Sequence, residues 1–128
     1  MKKEYKVTII KRLRSFVYAH RGIIFLFKSQ GNMVIHSIAA VLAVIIGILL
    51  KINMTEWCLI FFAIGFVFVS EAINTAIEQF IDFISPSYHF SAGRAKDVAA
   101  GAVLFAATTA LVVGLIIFIP KIVDLLVN

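Results

Sequence analysis

A single cysteine, Cys58, leaves no room for an internal disulfide, and its apolar neighbours make it a packing residue. His20, His36 and His89 are isolated, so no His/Cys spacing suits zinc and no nucleophilic triad can be assembled. There is no glycine-rich phosphate loop, which excludes P-loop and protein-kinase designs. The basic start, Lys2 to Lys6, is followed by no apolar segment of signal-peptide type, so no cleaved signal is expected. No repeat, low-complexity tract or flexible linker divides the chain, and its 128 residues make one domain. What is abundant is apolar. The 62% hydrophobic residues and a mean hydropathy of +1.02 exceed the roughly half apolar content of soluble chains. This is the sequence of an all-α integral membrane protein.

Residues 1–28 carry eight of the twelve Lys and Arg against one acid, Glu4. Ile9, Leu13, Phe16, Ile23 and Phe27 recur at helical spacing, with Lys11, Arg14, Tyr18, Arg21 and Lys28 roughly opposite. That pattern predicts an amphipathic helix lying in the membrane interface, its basic stripe drawn to anionic head groups or to an anionic ligand. No nucleic-acid partner is expected. A break at 29–32 precedes the first span, 33–50, which is just long enough to cross a bilayer. The loop 51–56 offers Thr55 as a cap for a second span over 57–84, with Trp57 at the interface. Ser85-Pro86 ends that span. A polar loop, 87–97, leads to the third span, 98–119, which Pro120 closes. Ten of the twelve basic residues lie in 1–28 and 85–97, so the positive-inside rule puts the N-terminus and the second loop in the cytoplasm.

The second span carries the chemistry. Glu71, Asn74, Glu78 and Asp82 step by three, four and four residues, which stacks them on one helical face. An acid at the bilayer centre costs about 2.5–3.5 kcal/mol, and aligned acids repel unless a cation lies between them. One reading is a helix that has already left the membrane with its carboxylates in water. The other is a divalent-cation and acid–base site near the membrane surface. Carboxylates with substrate phosphates suit Mg²⁺, Lys and Arg neutralise phosphate oxygens, and a deeper carboxylate can accept a proton from a lipid hydroxyl. Those are the parts that phosphoryl transfer from ATP needs. Four polar residues on one face also suggest that neighbouring subunits are needed to shield them from lipid.

Glu71-Ala-Ile-Asn74-Thr-Ala-Ile-Glu78 with Asp82, then Tyr88-His89 and Gly93-Arg94-Ala95-Lys96-Asp97, resembles the small bacterial diacylglycerol kinases. The Ser-Pro-Ser-Tyr-His loop and the ending Gly-Leu-Ile-Ile-Phe-Ile-Pro-Lys are similar to their Gram-positive branch, the undecaprenol kinases. The resemblance runs from Tyr18 to Lys121. It implies a homotrimer in the bacterial cell membrane, with three spans and one interfacial helix per subunit. It also implies MgATP-dependent phosphorylation of a lipid alcohol, undecaprenol before diacylglycerol, at the cytoplasmic face. A non-catalytic, cation-conducting or regulatory oligomer is the rival from another class, although conduction would not require Lys96-Asp97 or the Tyr-His loop. Carried over by position, the resemblance makes Glu71 the catalytic base and Glu78 a metal ligand, with Asn74 and Asp82 supporting. Lys11, Tyr18, Tyr88, His89, Lys96 and Asp97 match nucleotide contacts. Gln30 stands where the family usually has a metal-binding glutamate, and can offer the metal only an uncharged oxygen.

Overall fold

The structure, a computed structural model, describes residues 9–87 and 89–127, with the backbone alone for 9–13. Four helices follow in order: α1 (Ile9–Ser29), α2 (Gly31–Leu49), α3 (Met54–Ile84) and α4 (Phe90–Val127). The last three are each long and apolar enough to cross a membrane, and the chain is a multi-pass membrane protein. On α1, both Phe16 and Ile23 on one side and Arg14 and Arg21 on the other are exposed, and Leu26 is buried. Apolar and basic surfaces uncovered together suit the plane between lipid and water.

The break expected over 29–32 shrinks to one residue. Gln30, extended at φ −119° and ψ 112°, is the N-cap of α2, and its N–H still donates to the Leu26 carbonyl at 3.1 Å. The α2–α3 hairpin is equally tight. Lys51 takes a left-handed φ of 50°, and Ile52 N–H reaches back to the Gly47 carbonyl at 3.1 Å. Asn53, not Thr55, caps α3. Its side chain accepts from Glu56 N–H at 3.0 Å, while the Glu56 carboxylate accepts from Asn53 N–H at 2.7 Å. That reciprocal box needs a glutamate three residues on, which Asn53 has and Thr55 lacks.

Two further boundaries differ from expectation. The polar stretch 87–97 is helical from Phe90 onward, because a helix leaving the membrane is free to be polar without unwinding. Pro120 does not close α4, which continues to Val127. Lys121 beyond it pairs with Glu56 at 3.2 Å, tying the extension to the start of α3. At this end Ile52, Ile60 and Ile117 form a buried cluster flanked by Trp57 and Phe118. Gly47 permits the close approach: a Cβ there would lie 2.9 Å from Trp57 Cη2 and 3.0 Å from Ile52 Cδ1.

The long α3 has two unlike surfaces. Ile60, Ala63, Val67, Glu71, Asn74 and Ile81 are buried against the rest of the chain. Phe62, Phe66, Val69, Ile73, Phe80 and Phe83 are exposed on the other side.

Candidate active site

At 1.5 Å per residue, Glu71 lies about 26 Å from the start of α3 and Glu78 about 36 Å. A hydrocarbon layer of about 30 Å that begins at the first residues of α3 ends between them. The side chains change accordingly. Glu71 is 0% exposed, with Asn74 at 5% and Thr75 at 4%, while Glu78 is half-buried and Asp82 exposed.

The interior end of the stripe is unsatisfied. Among the described residues, neither carboxylate oxygen of Glu71 has a hydrogen-bond partner, nor does Asn74 Oδ1. Thr75 Oγ1 donates to the Glu71 backbone carbonyl at 2.9 Å and leaves the carboxylate untouched. Burying a carboxylate with nothing to meet it is costly, and such a group calls for a functional explanation. One chain alone achieves this burial. That holds for Glu71 and Asn74, whereas Glu78 stays half-buried and Asp82 exposed, so one chain shields only the inner half of the four-residue stripe.

The next carboxylate is well supplied. Asn74 Nδ2 donates to Glu78 Oε1 at 3.1 Å, and Gln30 Nε2 reaches Glu78 Oε2 from α2 at 3.5 Å. Gln30 therefore faces the acidic stripe, not solvent. At the outlet Asp82 is ion-paired with Lys96 across the α3–α4 turn. Among the described residues no three metal-ligating side chains cluster. Glu78 with two amides does not make an all-protein cage for Mg²⁺. It fits an ion that arrives on substrate phosphates and takes one carboxylate from the protein.

Other expected site residues stand apart from this line. Tyr18 is 63% exposed on α1, and Asp97 is exposed on α4. The exposed His89 accepts from Ser91 N–H through Nδ1 at 3.3 Å, at the start of α4. None of the three hydrogen-bonds Glu71 or Glu78. Tyr88 and the side chain of Lys11 lie outside the described residues. Thr75 was not singled out by sequence, although its spacing of four from Glu71 puts it on the same face.

Residues 17–118 match the family model described as prokaryotic diacylglycerol kinase. The chain belongs to this family. An undecaprenol kinase of Bacillus subtilis is 40% identical over 93% of this chain and 97% of its own length. A diacylglycerol kinase of Synechocystis is 36% identical over 90% of this chain and 66% of its own. That of Escherichia coli is 34% identical over 67% of this chain and 66% of its own. The protein is thus a lipid kinase, an enzyme that moves a phosphoryl group from a nucleotide to a membrane lipid.

Proposed function

We propose that this lipid kinase transfers the γ-phosphoryl group of ATP, as its Mg²⁺ complex, to the hydroxyl of undecaprenol at the cytoplasmic face of a bacterial membrane. The observation that carries the mechanism is Glu71, fully buried with both oxygens unpartnered. As the lipid oxygen bonds to the γ-phosphorus, the bond to the ADP oxygen breaks and the hydroxyl proton passes to a Glu71 oxygen. Glu78 holds the metal end of the nucleotide, and Asn74 orients Glu78 through its amide. Mg²⁺, when bound, neutralises charge on the phosphate oxygens. Gln30 adds an amide to that region, and Asp82 steadies Lys96 as a cation for the phosphates. Lys11, Tyr18, Tyr88, His89 and Asp97 are the remaining nucleotide contacts in this reading, borne by α1 and the start of α4.

Undecaprenol is preferred because the Bacillus subtilis undecaprenol kinase matches over nearly both full lengths. Diacylglycerol is the second reading, favoured by the names of the Synechocystis and Escherichia coli relatives. The cytoplasmic orientation rests on the Lys and Arg distribution. A homotrimer is supported by the exposed seam of α3, where Phe62, Phe66, Val69, Ile73, Ala76, Phe80 and Phe83 keep to alternating steps of three and four. Purified protein in detergent, given ATP, Mg²⁺ and each lipid alcohol in turn, tests the function. Phosphate should pass to undecaprenol with the higher kcat/KM. Preference for diacylglycerol would reverse the substrate assignment, and transfer to neither would overturn the reading.

A further inference from the structure

A groove of about 520 Å³ runs between α2, α3 and α4 on the membrane side of Glu71. Small side chains keep it open, among them Ala40, Ala43, Ala63, Ala107, Ala110 and Gly114. His36 is the one polar side chain in its lining, and it makes no hydrogen bond to any described residue. The hairpin register fixes its height. His36 and Val67 are equally far from the α2–α3 turn, about 20 Å along each helix, and Glu71 lies one turn further, about 6 Å on. The Gln30–Glu78 contact joins positions about 28 Å and about 36 Å from the same turn, an offset that long side chains bridge and that sets His36 between the levels of Val67 and Glu71. From the membrane interior outward the order is apolar groove, His36, Glu71, then Glu78.

We propose that His36 positions the lipid alcohol, hydrogen-bonding its hydroxyl while the hydrocarbon tail lies in the groove and the hydroxyl is presented to Glu71. The inference rests on Glu71 being the base. The occupant is a lipid tail because the family acts on membrane lipids and the groove's lining on α3 ends at Val67 and Phe68, one turn short of the Glu71 carboxylate. An imidazole both donates and accepts, so it can hold the hydroxyl oxygen as the proton leaves toward Glu71. An apolar lining has nothing else to fix how far an alcohol rises toward the nucleotide.

The test measures KM and kcat separately for lipid and for ATP in mixed micelles, with wild type, His36→Ala, His36→Gln and Ala40→Phe. Loss of one neutral hydrogen bond should raise the lipid KM of His36→Ala about 5- to 10-fold, with the ATP KM unchanged. His36→Gln, which keeps a donor and an acceptor, should recover most of the loss. Ala40→Phe narrows the groove away from the polar site, and should raise the lipid KM with the ATP KM again unchanged. Unaltered lipid KM in both His36→Ala and Ala40→Phe overturns the proposal while leaving Glu71 as base. So does a uniform loss toward both substrates that glutamine fails to rescue, which marks His36 as structural. If Ala40→Phe changes the oligomeric state and not the lipid KM, the groove belongs to a subunit contact and the proposal falls. Absence of wild-type transfer to any lipid alcohol overturns the proposal and the proposed function together.

Discussion

Replacing Glu71 by glutamine separates catalysis from stability in a way few buried residues allow. The substitution preserves shape and burial but removes the group that accepts the hydroxyl proton. Loss of a positioned general base costs about 10²–10⁴ in rate, or roughly 2.7–5.5 kcal/mol in the barrier. For most buried polar residues a comparable penalty falls on folding, because partners are left unsatisfied. Glu71 has no side-chain partner to abandon among the described residues, where both its oxygens are without hydrogen bonds. An uncharged amide is also cheaper to bury than an ionised carboxylate. The midpoint of thermal unfolding in detergent should therefore stay the same or rise as turnover collapses. Binding of MgATP, which the proposed mechanism assigns to Glu78 two turns away, should be largely spared. The assay pairs steady-state transfer to lipid with a thermal melt and a nucleotide-binding titration on one preparation. Activity within about tenfold of wild type would remove Glu71 as base. Activity, melting temperature and nucleotide affinity falling together would show that its role is architectural.

Gln30→Glu places a second carboxylate beside Glu78, where the amide now stands at 3.5 Å, so the Mg²⁺ concentration for half-maximal activity should fall; an unchanged midpoint would take Gln30 out of the metal region. Asp82→Asn breaks an exposed ion pair worth at most about 1 kcal/mol, so melting should barely move. Lys96→Met should raise the ATP KM more than Asp82→Asn does, and equal effects would deny Lys96 a direct contact with nucleotide. Gly47→Val drives a branched side chain into Trp57 and Ile52; overpacking of about 1–3 kcal/mol should lower the melting temperature, and an unchanged melt would mean that the hairpin has slack. Val69→Cys should cross-link copies of the chain through the exposed seam of α3, whereas a stable, active monomer by native mass spectrometry would rule out the trimer.

The spans were legible because long apolar runs admit no other fold, and the acidic stripe because an unbroken α3 turns a spacing of three and four into one face. Boundaries were harder. Polarity over 87–97 reads as loop when judged by composition, yet beyond the lipid a helix gains nothing by being apolar. Thr55 looked like a cap until the reciprocal glutamate at 56 is credited to Asn53. At the site, the list of polar residues was readable, but their pairing was not. Gln30 meeting Glu78 depends on how α2 lies against α3, and Lys96 meeting Asp82 depends on how early α4 begins. Burial of Glu71 by a single chain is likewise a property of helix packing. The sequence offered only the stripe, and not how much of it one chain would cover.

One face of α3 changes character along its length, and that change matches the chemistry of the substrate. From Ile60 to Phe68 the inward face is apolar and borders an open groove. From Glu71 to Glu78 it is carboxylate and amide, first dry and then half-exposed. A lipid alcohol is built in the same order, with a long hydrocarbon, one hydroxyl, and beyond it the water in which nucleotide is dissolved. A helix whose polarity changed all round would simply mark where the membrane ends. Here the opposite face keeps phenylalanine at 62, 66, 80 and 83 on both sides of the change. The switch is therefore confined to the side that α2 and α4 enclose. In the proposed mechanism, an amphiphile seated on that side brings its hydroxyl to the level of Glu71 without leaving the membrane, and the phosphoryl donor approaches Glu78 without entering it.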